Sequence, residues 1–229
     1  MPIGLGVLMR TVVFDLDGTL ADTAGDLIAS ANAALAELGH PPQLVMGQDD
    51  ATAFAGGRAM LRLAAQRMGI AEAEALADAG YQPLLAAYGR DIDVHTTLYD
   101  GAIAAVDRLR ARGDATGICT NKPEGLAVDL IARLGLTERF PALIGADTLP
   151  TRKPSAAPLN ETIARLGGDT SQAVLIGDTI TDRKTAQAAG IPCILVTFGP
   201  TGRDVEALNP EGLLDHYDDL ERVIDEVLA

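Results

Sequence analysis

Two carboxylates lie two residues apart at the end of an apolar run, in Val12-Val13-Phe14-Asp15-Leu16-Asp17-Gly18-Thr19-Leu20. If the extended conformation continues past Phe14, its period of two puts Asp15 and Asp17 on one side. Gly18 then lets the chain turn away sharply. Acids this close repel, so one tends to keep its proton unless a cation comes between them. Phosphoryl transfer can use that conflict: one carboxylate attacks, the other gives and takes protons, and Mg²⁺ offsets the charge. A polar strand end opening a turn is the plainer reading of any single Asp, but not of Asp-x-Asp-Gly-Thr after three apolar residues.

Three more segments carry residues that suit the same chemistry. Ile118-Cys119-Thr120-Asn121-Lys122-Pro123 offers the Thr120 hydroxyl and the following backbone N–H, at Asn121, to a phosphoryl oxygen as the chain turns into a helix. Thr151-Arg152-Lys153-Pro154-Ser155 supplies a cation, Lys153, just before a helix whose approach Pro154 and Pro158 would stiffen. Val174-Leu175-Ile176-Gly177-Asp178-Thr179-Ile180-Thr181-Asp182 ends a strand in two acids four residues apart. Mg²⁺ takes oxygen ligands and keeps several waters, so Asp178 with Asp15 would suffice to hold it. Read singly, each segment also fits a capping residue, a solvated lysine or a turn acid. Together they make up a nucleophile, an acid/base, a phosphate seat, a cation and a metal carboxylate.

The elements that must position these residues are short apolar runs: Arg10–Phe14, Ala115–Cys119, Ala142–Gly145, Ala173–Ile176 and Cys193–Thr197. Most are continuously apolar rather than alternating, as in a parallel sheet covered on both faces. Between the later runs lie helical patterns, with Ile103, Val106 and Leu109, then Leu126, Leu130, Ile131 and Leu134, then Leu159, Ile163 and Leu166. Strand–helix alternation predicts right-handed βαβ units and a doubly wound, Rossmann-like α/β core. Each candidate segment then falls at or just beyond the C-terminal end of a strand, where open sheets put their binding crevice.

About a hundred residues separate the first strand from the next candidate, and the first eighty or so read as helices: about Asp22–Leu38, Gly57–Met68 and Ala71–Tyr88. A crossover needs only about a dozen residues, so this stretch reads as an inserted helical subdomain. The expected division is a discontinuous core of residues 1–20 and 95–229 around a helical insert of residues 21–94.

Composition narrows the partners. Of 229 residues, 48% are hydrophobic, enough for a core without disulfides, and aromatics at 3% leave that core to Ala, Leu, Val and Ile. A net charge of −14 argues against nucleic acid, so an anionic substrate must be met by local groups rather than by the field of the whole protein. Cys119 and Cys193 sit in apolar runs and read as buried reduced thiols. No apolar run approaches the roughly 20 residues of a membrane span. Met1–Met9 lacks a cationic start and a cleavage site, so no signal peptide is expected. The expectation is a soluble, cytoplasmic protein, monomer or homodimer, with no nucleic-acid or membrane partner.

The four segments, in this order, resemble the motifs of the haloacid dehalogenase-like hydrolase superfamily: DLDGT, a Thr at the second strand end, a Lys before a helix, and GDxxxD. The resemblance runs from about residue 10 to 225. DLDGTLADTAGDL, ANAALAELG, TNKP, KPSAAPL and IGDTITDRKTAQAAGIP look most like the phosphoglycolate phosphatase subgroup. It implies a parallel Rossmann-like core with a C1-type helical cap and a Mg²⁺ cofactor. It further implies Asp15 as nucleophile, Asp17 as acid/base, and Lys153 as the orienting cation. Gly18, Thr19, Thr120 and Asn121 would bind substrate phosphate. Asp15, Asp178 and the Asp17 carbonyl would hold the metal, and Asp182 would support the metal shell or Lys153.

Two departures bear on substrate choice. The cap loop V-G-x-G-A-x-x-L of similar phosphatases reads here Phe54-Ala55-Gly56-Gly57-Arg58-Ala59-Met60-Leu61, with Phe54 where a glycine is usual. Motif four has Thr179 in place of Ser. Arg58 is the cap candidate for a substrate carboxylate, since its fork suits bidentate binding, with a plain helix-surface Arg as the alternative. His40, His95 and His216 match no motif. The expected activity is hydrolysis of a small phosphorylated metabolite, with 2-phosphoglycolate favoured. The alternatives are a phosphomutase, a phosphatase for sugar phosphates or pyrophosphate, and a non-catalytic binding module.

Overall fold

A computed structural model describes residues 9–229 and divides the chain into two compact units. The expectation for the segment before Met9 lies outside the described residues. One unit runs up to Leu20 and resumes at Tyr99; the other is Ala21–Leu98.

Six strands form the sheet of the first unit: β1 (Thr11–Phe14), then, past the two-residue β2 (Ala21–Asp22) and β3 (Thr97–Leu98) of the second unit, β4 (Ala115–Cys119), β5 (Ala142–Ile144), β6 (Ala173–Gly177), β7 (Cys193–Val196) and β8 (Gly212–Leu214). Their order is β5-β4-β1-β6-β7-β8, and every neighbouring pair is parallel. The chain moves outward from β1 through β4 and β5, then returns to β6 on the other side, so β1 lies at the topological switch point.

Successive side chains of a strand point to opposite faces, and both faces here are covered. Val13, Cys119, Leu175 and Leu195 pack with Leu159, Ile163 and Ala186 from the helices beyond β5 and β6. Val12, Phe14, Ile118 and Ile176 are equally buried, and Phe14 meets Phe140 edge-on, with ring centroids 6.2 Å apart. This two-sided burial is why the strands read as unbroken apolar runs.

In the second unit α1 (Ala24–Glu37), α2 (Asp50–Phe54), α3 (Gly57–Arg67) and α4 (Ala73–Arg90) share a core that includes Ile28, Leu35, Leu61, Ala64 and Leu84. In the first unit α5 (Ala102–Ala111), α6 (Glu124–Arg133), α7 (Ala156–Arg165), α8 (Ile180–Ala189) and α9 (Leu220–Val227) flank the sheet. Among the described residues no helix is long and apolar enough to cross a membrane. Both cysteines are free and buried, and burial pushes the Cys119 thiol up to about 12.

The second unit closes four residues later than the expected boundary at 94/95, because β2 and β3 pair antiparallel, with Ala21 opposite Leu98. The buried Asp26 carboxylate reinforces the closure. It accepts from the backbone N–H of His95 and Thr96, each at 2.8 Å, and from the Thr96 hydroxyl at 2.7 Å. The insert is therefore helical except at its two ends, where the chain enters and leaves as a short ribbon.

Candidate active site

The C-terminal ends of β1, β4 and β6, with the loop after β5, bring the acidic and basic candidates together. Asp15 directly follows β1 and is anchored by its own backbone, whose N–H donates to Ile176 O at 2.8 Å. Its carboxylate accepts from the Leu16 N–H at 2.7 Å and lies 2.9 Å from Lys153 Nζ. Burial pushes the Asp15 carboxyl up from its ordinary 3.8 to about 6, against the pull of Lys153 and with help from Asp182 and Asp17.

Lys153 lies between β5 and α7, and its side chain is 1% exposed. A lysine so buried would shed its proton unless it were paired. Here burial is outweighed by Asp15 and Asp182, and its pKa rises. Asp182, on the first turn of α8, is 2.6 Å from the same Nζ through Oδ1. Its Oδ2 accepts from the Thr179 N–H at 3.1 Å and the Thr179 hydroxyl at 2.7 Å. For Asp182 too, burial works upward but loses to Lys153 and Thr179, so its carboxyl is held below the usual range. Of the two supporting roles open to Asp182, the geometry favours holding Lys153. Thr179 fills the N-cap position expected of Ser there and makes the contact that fixes Asp182.

Asp178 directly follows β6 and is in the opposite condition. Its Oδ1 accepts a long bond, 3.2 Å, from the Thr19 hydroxyl. Its Oδ2 is buried with no hydrogen-bond partner among the described residues. Burial, with the charges of Asp182 and Asp15, pushes this carboxyl well above its ordinary value. An orphaned buried carboxylate oxygen is costly, and a cation would relieve it. Oxygens of Asp15, Asp178 and Asp182 lie within 4.8 Å of one another. Asp182 is fully buried and its Oδ2 already takes three hydrogen bonds. Among the described residues, by contrast, Asp178 has an unsatisfied oxygen and each Asp15 oxygen carries a single contact. Asp15 and Asp178 are therefore the pair that fits a hard divalent ion, an all-oxygen donor set suited to Mg²⁺. Gly18 leaves room for it: at φ +80°, a Cβ there would run into Asp178 Oδ2. Thr19, expected to face substrate phosphate, is fully buried and serves Asp178 instead.

At the end of β4, Thr120 is buried, and its Oγ1 accepts from the Lys122 N–H at 3.2 Å. The Asn121 amide donates to the Lys153 carbonyl at 3.1 Å, so its side chain steadies the lysine loop and only its backbone is left for a phosphate role. Lys122 was given no role by the sequence. It is buried, and its Nζ lies 2.6 Å from Asp17 Oδ1. Tyr217 was equally silent: its hydroxyl donates to the Thr19 carbonyl at 2.8 Å, anchoring the Asp17–Thr19 turn from far along the chain. Arg58 belongs to the helical unit, where it pairs with Asp78 and lies over the Tyr81 ring, 4.8 Å from the centroid. His216 is half-exposed, beside Asp100 and Asp218.

Residues 12–196 match the family model for haloacid dehalogenase-like hydrolase. A protein from Cereibacter sphaeroides named phosphoglycolate phosphatase is 40% identical over 96% of this chain and 100% of its own. Another of that name, from Mesorhizobium japonicum, is 41% identical over 91% of this chain and 92% of its own. Among solved structures, one from Haemophilus somnus described as a predicted phosphoglycolate phosphatase superposes with a TM-score of 0.79, at 22% identity, over 94% of this chain and 97% of its own. At that identity the superposition shows the fold alone; the family rests on the sequence matches. The chain belongs to the haloacid dehalogenase-like hydrolase family.

Proposed function

We propose that this protein is a Mg²⁺-dependent phosphatase that hydrolyses 2-phosphoglycolate through a phosphorylated Asp15. That it is a phosphoric monoester hydrolase follows from its family and its relatives at about 40% identity. The substrate is carried over from the name those relatives bear. The observation that supports the mechanism most is the division of labour among three buried acids: Asp15 and Asp182 share the Lys153 ammonium, and Asp178 has an oxygen that no described residue satisfies.

In the first half-reaction an Asp15 oxygen attacks phosphorus, the bond from phosphorus to the glycolate oxygen breaks, and Asp17 gives its proton to that oxygen. In the second, Asp17 takes a proton from water, which displaces phosphate and restores the Asp15 carboxylate. Lys153, already beside Asp15, balances charge on the phosphoryl oxygens. The Thr120 hydroxyl and the Asn121 backbone N–H hold those oxygens in place. Asp15 and Asp178 would hold the Mg²⁺, which when bound lowers the repulsion between a carboxylate nucleophile and an anionic phosphoryl group. By the family resemblance the helical unit would act as the cap, with Arg58 the candidate for the substrate carboxylate.

Phosphate release from a panel of 2-phosphoglycolate, sugar phosphates, pyrophosphate and p-nitrophenyl phosphate tests the reading. The highest kcat/KM is expected on 2-phosphoglycolate, with Mg²⁺ required. Transfer of the phosphoryl group between sugar hydroxyls, or a clear preference for another ester, would overturn the substrate assignment.

Metal binding has a readout of its own. At about 100 times its Kd a ligand adds about 2.7 kcal/mol to stability, or about 5–10 °C in Tm for a chain of this size. Mg²⁺ should raise the Tm of the wild type by that amount and leave Asp178→Asn nearly unmoved. An equal rise in both would exclude Asp178 as a ligand.

A further inference from the structure

Asp17 needs more than the right chemistry. A proton-transfer group works only when its oxygen is held within hydrogen-bond reach of the reacting atom. Asp17 sits in a glycine-containing turn, and its side chain remains 19% exposed. Such a carboxylate has rotamers to choose among, unless something holds it.

Lys122 is built to hold it. Its backbone is pinned on both sides: the N–H donates to Thr120 Oγ1 at 3.2 Å, and the carbonyl accepts from Ala146 N–H at 2.9 Å. Pro123 follows with φ −51° and caps α6, so the chain cannot swing the side chain away. The Lys122 side chain is 3% exposed and ends 2.6 Å from Asp17 Oδ1. With that little access to water, the ammonium gains from a carboxylate within reach, and Asp17 Oδ1 is within hydrogen-bond distance of it.

We propose that Lys122 is a positioning residue that fixes the Asp17 carboxylate for its proton transfers. The proposal rests on the phosphatase reading above. It gives the two buried lysines different roles, Lys153 serving the nucleophile and Lys122 the acid/base. Asn121 links them by donating from one loop to the Lys153 carbonyl of the other.

The test uses leaving groups. An alkoxide needs its proton during bond cleavage, whereas p-nitrophenolate is stable enough to leave without it. General acid catalysis is worth about 10²–10⁴-fold where it is needed. Lys122→Met is expected to lower kcat/KM for 2-phosphoglycolate and other alkyl phosphates about 10²-fold or more. For p-nitrophenyl phosphate the loss should stay within about fivefold, because kcat/KM reports only the first half-reaction. Lys122→Arg should recover part of the alkyl activity, and it serves in place of Lys122→Met if the latter does not fold.

A cycle with Asp17→Asn completes the experiment. In that background Lys122→Met should cost less than about threefold further on alkyl phosphates, since a residue acting through Asp17 has nothing left to position. Equal losses on alkyl and aryl esters, or losses that add in the double variant, would overturn the proposal. They would mark Lys122 as structural or as a direct substrate contact. Those results are distinct from failure of the phosphatase reading, in which the wild type itself would release no phosphate from any ester.

Discussion

Asp15→Asn is expected to reduce phosphate release by on the order of 10⁴–10⁶-fold and, in the absence of metal, to make the protein more stable. The activity loss is expected because, on the proposed mechanism, the Asp15 carboxylate supplies the oxygen that attacks phosphorus. The stability gain follows from the Asp15 carboxyl, raised from 3.8 to about 6 chiefly by burial. Between those values the folded chain holds a proton that the unfolded chain has released. Metal-free wild type should therefore lose stability as pH rises through that window. Asn has no charge to bury and escapes the loss. Above pH 6 the metal-free variant should exceed the wild type by on the order of 2–3 kcal/mol in urea unfolding. The difference should fade below about pH 4, and saturating Mg²⁺ should reduce or reverse it by stabilising the wild type selectively. A variant less stable than the wild type at pH 8 without metal would show that Asp15 is a structural partner of Lys153, not a strained functional group.

Lys153→Met carries the second large effect, and of the opposite sign. One ammonium serves both Asp15 and Asp182, at 2.9 and 2.6 Å, with its side chain 1% exposed. Removing one partner of such an assembly typically costs about 3–5 kcal/mol, because the acids left behind are buried and uncompensated. A solvated surface lysine would cost within about 0.5 kcal/mol. Activity should also fall, by about 10²–10³-fold or more, through loss of the charge that on the proposed mechanism balances the phosphoryl oxygens. The double variant Lys153→Met/Asp182→Asn should recover part of the stability and none of the activity. That split separates the fold's need for the lysine from the reaction's need for it.

The strands that carry the reacting residues were legible because burial on both faces makes a run such as Val12-Val13-Phe14 continuously apolar. β8 escaped because its three residues form an edge strand with Gly212 and Leu213 only partly buried. The β2–β3 ribbon escaped because two residues on each side carry no periodicity to read. The same contrast governs the site. Asp15, Asp178 and the loop of Lys153 announce themselves by where they fall after apolar runs, so local sequence suffices to find them. The contact of Lys122 with Asp17 spans 105 residues, and that of Tyr217 with Thr19 spans 198. Neither follows from any local pattern; each exists only once β4 lies beside β1 and the C-terminal segment reaches the Asp17–Thr19 turn. Thr19 and Asn121 show the reverse limit. Their positions fit phosphate binding, but their side chains are committed to Asp178 and to the Lys153 carbonyl.

The most direct measurement is an acid quench during turnover of 2-phosphoglycolate labelled on phosphorus, with Mg²⁺; bound label is counted in one portion, and another is reduced with tritiated borohydride and peptide-mapped. An aspartyl-phosphate should be trapped, and reduction should convert its aspartate to homoserine at position 15 alone. No label should be retained by Asp15→Asn, and more should accumulate in Asp17→Asn if that variant still transfers the phosphoryl group. Label on any other residue, or steady phosphate release by the Asp15→Asn protein, would contradict the assignment of Asp15 as the nucleophile.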